Sequence, residues 1–324
     1  MKKILREQAK KFAFNYSDTP LIHVIPGEEF EIETWDAGIG FFKSAADKAI
    51  PANRPGFDRT PPLVNPIAGP IFIEGLDRGD TLVVKIHQIE VEQTSWIAVG
   101  PNRGPLGDSS RWNEISGDYS TMVFDHSPGP SGTTVDGTLQ FNDKISWPIT
   151  PFVGTLGVAP DRDVANSLDG QGDWGGNLDI RDFKPGNKIF LPVYHPGGLF
   201  YLGDVHASQG DTEFTGTAAE TQATVRLSFE IIKGKRSPGI RIETPDSIIA
   251  VHAFRPLEDA VHQATVYMMD WLVSTYGFTQ VEAYCFVSTC PDFRINVYQM
   301  CKIGKLNYVA GAEVPKRYLL MSNS

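Results

Sequence analysis

Through the first two thirds of this 324-residue chain, apolar residues come in short period-two runs, each closed by Gly, Pro, Asn or Asp. Period-two alternation gives a strand one apolar and one polar face, and the breakers stop each run early. The period lengthens only in the last quarter, where Leu257, Ala260, Val261, Ala264, Tyr267, Met268, Trp271 and Leu272 recur at helical spacing after Pro256. Gly277 stops that helix, and Thr279-Gln280-Val281-Glu282 is a capping box opening a second helix through about Val287. Strands first and helices late predict a β-rich α+β fold with mixed or antiparallel sheets, sandwich- or barrel-like, and two helices in the C-terminal quarter. No linker composition divides the chain. It reads as a single domain over 1–324, or as two intimately packed β-rich subdomains of about 1–150 and 151–324.

Three local expectations sharpen this outline. Ile71 to Glu74 and Thr81 to Val91 read as a strand pair around Asp77-Arg78-Gly79-Asp80. In the second strand Leu82, Val84, Ile86, Gln88 and Glu90 share one face. Asp136-Gly137, between Val135 and Leu139, signals a hairpin.

Charge and cysteine content remove several functions. Lys plus Arg number 29 against 39 Asp plus Glu, a formal charge of −10, which disfavours nucleic acid and anionic membrane surfaces as partners. Three cysteines, Cys285, Cys290 and Cys301, form no disulfide framework and read as reduced thiols. The N-terminal MKKILREQAKKFAF lacks an apolar core of signal-peptide length. The expectation is a cytoplasmic protein, a homodimer or larger assembly by the general habit of such enzymes. There is no G-x-S-x-G elbow, P-loop, Rossmann fingerprint or H-E-x-x-H. Serine hydrolases, nucleotide-dependent enzymes and zincin proteases are thereby demoted.

The stretch Gly203 to Glu213, GDVHASQGDTE, carries the most chemistry. Asp204 and His206 are two apart, so on an extended strand both leave the same face, and an oxygen and an imidazole together suit a divalent ion such as Zn²⁺. Spacing alone leaves two readings open, a metal or catalytic pair or a turn-stabilising hydrogen bond. Upstream, Asn177 and Asp179 follow Gly175-Gly176; downstream lie Asp211, Glu213 and Glu220. Convergence of so many carboxylates is costly unless a cation compensates them. His195, before Pro196-Gly197-Gly198, is a weaker candidate for a ligand or substrate contact. Asp36 reads chiefly as a turn cap, and Cys290 as a small buried thiol.

These segments, taken in order, resemble the acetamidase/formamidase family. Asn65 to Ile86, NPIAGPIFIEGLDRGDTLVVKI, is similar to that family's N-x-x-x-G-P-I-x-V-E-G-x-x-x-G-D-x-L signature. Gly157-Val158-Ala159-Pro160, Gly175 to Asp179, GDVHASQGDTE and Gly216 to Glu220 match further segments over residues 20 to 300. Thr212 stands where the family usually has Gly, and the passages near residues 38 to 62 and Pro101 to Trp112 look individual to this member and able to reshape a pocket. The resemblance implies a β-rich fold and a divalent metal, zinc first with calcium as the alternative. It implies hydrolysis of short aliphatic amides to carboxylate and ammonia by metal-activated water. Carried onto this chain it implies Asp179, Asp204 and His206 as metal ligands. The catalytic set is then Glu220 or Glu213 as proton shuttle with His206, and Asn177, Gln209, His195 and Gly197 contact substrate. A backbone amide near Gly197 or Gly210 would hold the oxyanion, and no organic cofactor is implied. Two alternatives stand beside this reading: a hydrolase of a larger amide or cyclic imide, and a non-catalytic metal- or carbohydrate-binding β protein.

Overall fold

The computed structural model describes residues 1–164 and 166–319. Two sheets, of nine and eleven strands, form its body. Thr81–Val91 lies inside the first, between Ala223–Ile232 and Lys188–Pro192. Phe200–His206 lies inside the second, with Phe152–Val158 along one edge and Ile67–Ile73 and Glu220–Thr221 sharing the other. Pairing is antiparallel apart from Lys2–Ile4 on Phe30–Thr34 and Ile22–Val24 on Ile67–Ile73. Both sheets combine strands from before and after residue 150.

Neither sheet closes into a barrel among the described residues. Their inner faces instead share one apolar core, with Phe200 of the second sheet 5.0 Å, ring to ring, from Phe229 of the first. This is the β-rich class that the alternation predicts. The two late helices are Leu257–Tyr276 and Gln280–Thr289. The first buries Ala264, Met268, Trp271 and Leu272 against Ile248, Ala250, Ala312 and Val314. Gly277 ends it in the left-handed region (φ 75°), where a Cβ would be strained. Thr279 and Glu282 cap the second reciprocally. No helix among the described residues is long and apolar enough to cross a membrane.

Three local expectations fail for identifiable reasons. Ile67–Ile73 and Thr81–Val91 do not pair; the chain changes sheets between them, so the turn at Asp77–Asp80 is a crossover corner. Within Thr81–Val91 the register against Ala223–Ile232 slips, with Ile86 opposite Leu227 and Gln88 opposite Arg226. His87 is the extra, bulged residue, so the core face passes from Leu82, Val84 and Ile86 to Ile89 and Val91. Asp136-Gly137 ends a 3₁₀ turn at φ −79°, not the positive φ a two-residue hairpin needs; Thr138–Asn142 turns back to Ile145–Pro148 at Asn142 instead.

One buried histidine in this frame sets a pH dependence. His126 donates through Nδ1 to the Glu92 carbonyl (2.7 Å) and accepts at Nε2 from Ser95 Oγ (2.8 Å). Burial pushes its pKa below the ordinary histidine value. The folded state therefore selects the neutral ring, and below pH ~6.5 the unfolded chain binds more protons. The stability this contributes is complete above that pH and is lost as pH falls through the depressed folded value. His126→Asn is expected to flatten the decline of Tm between about pH 6.5 and 5, measured by calorimetry against the parent. Parallel curves would show that His126 is not the titrating group.

Candidate metal centre and its cavity

Strand ends bring the acidic groups to one point. Asp204 and His206 lie on Phe200–His206, and Glu220 sits directly across from His206 in the neighbouring strand. Asp179 follows the strand Gly175–Asn177, and Glu213 closes the turn Asp211–Glu213. His206 Nε2 is 3.3 Å from Glu220 Oε2, 3.5 Å from Asp204 Oδ1 and 3.9 Å from Asp179 Oδ1, all of them buried. Potential ligand atoms of Asp179, Asp204 and His206 lie within 4.8 Å of one another, as do those of His206, Glu213 and Glu220.

The same-face argument for Asp204 and His206 reaches the right neighbourhood by the wrong backbone. Asp204 is not extended but left-handed (φ 59°). Asn65 (55°), Asp179 (47°) and Glu213 (43°) share that region. Asn and Asp tolerate it best, and clustering of such conformations is typical of functional sites.

Hydrogen bonds hold the outward-facing side of the cluster and leave the inner side bare. Thr155 Oγ1 donates to Asp204 Oδ2 (2.9 Å) and receives Asn65 Nδ2 (3.1 Å). Gln299 Nε2 donates to Asp179 Oδ2, and Gln171 Nε2 donates to Gln299 Oε1 (2.7 Å). The Ala218 amide donates to Glu220 Oε1 (3.1 Å). The remaining atoms, Asp179 Oδ1, Asp204 Oδ1, His206 Nε2 and Glu220 Oε2, are buried and have no hydrogen-bond partner.

The tautomer of His206 follows from its neighbour. Gln209 Nε2 donates to the carbonyls of Asp179 (3.0 Å) and Tyr298 (3.2 Å), so its Oε1 is the atom that faces His206 Nδ1 at 2.9 Å. Nδ1 therefore carries a proton, and the lone pair of the neutral ring lies on Nε2, aimed at the carboxylates. Orphaned carboxylate oxygens around a lone pair fit a divalent cation, for such a group costs several kcal/mol per ion when left uncompensated.

Titration directions express the same crowding. Burial, then Glu213, hold the Asp179 carboxyl well above the usual carboxylate range. Burial also raises Asp204, but the adjacent His206 ring and the hydrogen bond from Thr155 outweigh it and leave that carboxyl lowered. Burial lowers the His206 ring, yet Glu220 and Asp204 beside it raise it well above its ordinary value. Burial pushes Glu213 up to about 8 and raises Glu220 as well.

A cavity of about 260 Å³ opens over the cluster. Its lining includes Asn65, Asn177, Asp179, Asp204, Glu213, Glu220 and Gln299, and with them Arg54, Phe57, Asn102, Arg103, Ile303 and Leu306. The structure thus brings together Asp179, Asp204, His206, Glu213 and Glu220, with Asn177 on the lining and Gln209 beside His206, whereas Asp211 pairs with Arg181 at the surface. It does not bring His195 or Gly197 to the cavity. His195 stacks on Tyr16 and meets the Pro160 carbonyl at 2.8 Å, while Gly197 packs against Phe72. The Gly210 amide is likewise absent from the lining. Asp36 caps a turn: its oxygens accept from Gly38 N, Gly40 N, Trp96 Nε1 and Gln222 Nε2.

Sequence reasoning missed Thr155, Gln299 and Gly154. Gly154 and Thr155 interrupt the wholly buried strand Phe152–Val158, and such residues inside an apolar run were an available signal. A Cβ on Gly154 would stand 2.5 Å from Asp179 Oδ1 and 2.8 Å from the Asp204 carbonyl. Gly154→Ala is expected to cost about 1–3 kcal/mol and to displace both carboxylates. Denaturant melts and metal titration check it; native-like values in both would show that the backbone can yield there.

The sequence profile of the acetamidase/formamidase family matches residues 168–317, the stretch holding Asp179, Asp204, His206, Glu213, Glu220 and Gln299. Over this stretch the chain is similar to the acetamidase/formamidase family. An acetamidase of Mycolicibacterium smegmatis is 31% identical over 268 residues, covering 65% of this chain and 63% of that protein. A formamidase of Methylophilus methylotrophus is 28% identical over 275 residues, covering 70% of this chain and 65% of that protein. The chain thus matches slightly under two thirds of the length of these two relatives. Among solved structures, that of an acetamidase from Bacillus halodurans is similar with a TM-score of 0.85 at 26% identity, covering 99% of this chain and 100% of that one. Asn65, Gly154 and Thr155 lie outside the stretch matched by the family profile, although Gly154 and Thr155 pack on its carboxylates and Asn65 donates to Thr155.

Proposed function

We propose that this chain is a metal-dependent amidohydrolase that converts short linear amides and water to a carboxylate and ammonia, with zinc as its ion. The observation that carries the reading is the set of orphaned atoms, Asp179 Oδ1, Asp204 Oδ1, His206 Nε2 and Glu220 Oε2, converging at the floor of one cavity. Asp179, Asp204 and His206 would hold the ion, and three protein ligands leave one position open, as catalytic zinc sites do. An imidazole among so few oxygens suits zinc better than calcium, which takes six to eight oxygen ligands. When bound, the ion supplies a Lewis acid that polarises the amide carbonyl and makes water a better nucleophile at neutral pH.

The chain's own groups do the rest. Thr155 and Gln299 orient the two aspartates from behind, and Gln209 fixes the His206 tautomer. Glu220, anchored through Oε1 by the Ala218 amide, presents Oε2 as the base that takes the water proton and passes it to the departing nitrogen. Glu213 is the second candidate for that shuttle. Nucleophilic side chains offer no competing route: among the described residues no serine or cysteine lines the cavity, and burial pushes the neighbouring Cys301 thiol up to about 11.

Ammonium release from formamide, acetamide and propionamide tests the reading, using protein stripped by chelator and then restored with zinc or calcium. The expected result is loss of activity on stripping and recovery with zinc. Full activity in protein shown by elemental analysis to be metal-free would overturn it.

A further inference from the structure

The same cavity holds a second imbalance, of opposite sign. Arg54 and Arg103 both line the cavity. Arg54 is only 8% exposed, and its buried Nε has no hydrogen-bond partner. Aromatic rings hold it in place of acceptors: its guanidinium carbon lies 4.6 Å from the Phe57 ring centroid and 5.3 Å from that of Phe42. Arg103 stacks on the same Phe57 ring at 5.9 Å and on Tyr119 at 5.8 Å. Among the described residues neither guanidinium forms a salt bridge; of the two carboxylates whose charge reaches Arg54, Glu220 belongs to the acidic cluster and Asp36 has its oxygens engaged by four other donors. Burial, then the charge of Arg103, lower the Arg54 pKa to about 10, which leaves it a cation at neutral pH.

Two cations sharing one desolvated wall are costly unless an anion joins them, and guanidinium forks match carboxylate geometry. Both arginines lie outside residues 168–317, the stretch that the family profile matches. The space also exceeds what acetamide needs. About 260 Å³ is roughly twice the room for four water-sized groups at about 30 Å³ each.

We propose that the substrate is a short primary amide carrying a carboxylate on its acyl chain, a monoamide of a small dicarboxylic acid, whose carboxylate is held by Arg54 and Arg103. This rests on the amidohydrolase reading. The reaction is ⁻OOC–(CH₂)ₙ–CO–NH₂ plus water giving the dicarboxylate and ammonium. A C–O bond forms at the amide carbon, and the C–N bond breaks with its electron pair leaving on nitrogen, which takes both protons of the attacking water.

The test compares kcat/KM for malonamate and succinamate with that for propionamide and butyramide, which replace the carboxylate by methyl. In parallel, calorimetry measures binding of malonate and succinate to the same protein. At least a tenfold preference for an anionic amide is expected, with Arg54→Met and Arg103→Met each cutting that ratio at least tenfold and weakening dicarboxylate binding alike. If Arg54→Met fails to fold, Arg103→Met decides. Neutral amides turned over as well as anionic ones, with a ratio the substitutions do not move, would overturn the carboxylate assignment and leave the hydrolase reading standing. Dicarboxylate binding that depends on the arginines, without hydrolysis of any amide, would keep the anion site and remove the hydrolase. Neither binding nor hydrolysis would remove both.

Discussion

Glu220→Gln is expected to lower kcat for amide hydrolysis by about 10²- to 10⁴-fold, the usual contribution of a positioned general base, with the metal content of the protein unchanged. The substitution keeps shape and the acceptor for the Ala218 amide, but the group facing His206 Nε2 can no longer take a proton. Glu213→Gln is the control. Glu213 sits in the same cavity, with Gln299 Nε2 3.4 Å from its Oε2, so its loss is expected to be the smaller of the two. Initial rates of ammonium release with elemental analysis on the same samples decide the matter. A severe loss in Glu213→Gln alone would move the shuttle to Glu213, and near-normal rates in both would remove carboxylate proton transfer from the mechanism.

Asp179→Asn is expected to retain less than a tenth of the metal bound by the parent and to lose activity with it, yet to raise the Tm of the chelator-stripped protein by a few degrees. Function and stability part because the same charge serves the first and burdens the second. Without a cation, Asp204, Asp179, Glu213 and Glu220 crowd one desolvated volume around a single imidazole, and burial with Glu213 holds the Asp179 carboxyl well above the usual carboxylate range. Asparagine removes that like charge, still accepts from Gln299, and tolerates the left-handed backbone at φ 47°. Relief of about 1–2 kcal/mol corresponds to a few degrees in a chain of this size. Calorimetry in chelator and elemental analysis after zinc loading check the two halves separately. Undiminished zinc would mean that the ion is not held by Asp179; a lowered Tm would mean that the carboxylate is not under strain in the stripped state.

The acidic candidates were legible for an unequal set of reasons. Asp204 and His206 stood out by spacing, although the extended backbone assumed for them is left-handed at Asp204. Asn177, Asp179, Glu213 and Glu220 stood out as clustered polar residues in β-type sequence, whose joint burial had to be compensated. Thr155 is buried within an apolar strand, and Gln299 lies 120 residues from the aspartate it holds, so no local pattern connects either to the site. His195 and Gly197 carried a suggestive local sequence, but their strand end faces Tyr16 and Phe72.

Strand periodicity, helix caps and acidic clusters are short-range properties, because they arise from neighbours along one chain segment and the faces those segments present. On that basis the amino-acid order alone determined a β-rich chain with two capped late helices and a surplus of carboxylates in one region. Which strands became neighbours was decided only in three dimensions. The bulge at His87 reassigned a core face, the chain changed sheets at Asp77–Asp80, and Gln299 arrived behind Asp179 from a distant strand. Those outcomes depend on register and on burial shared between remote segments, and the same tertiary packing set two guanidiniums in one cavity with three carboxylates that each keep an unpartnered oxygen.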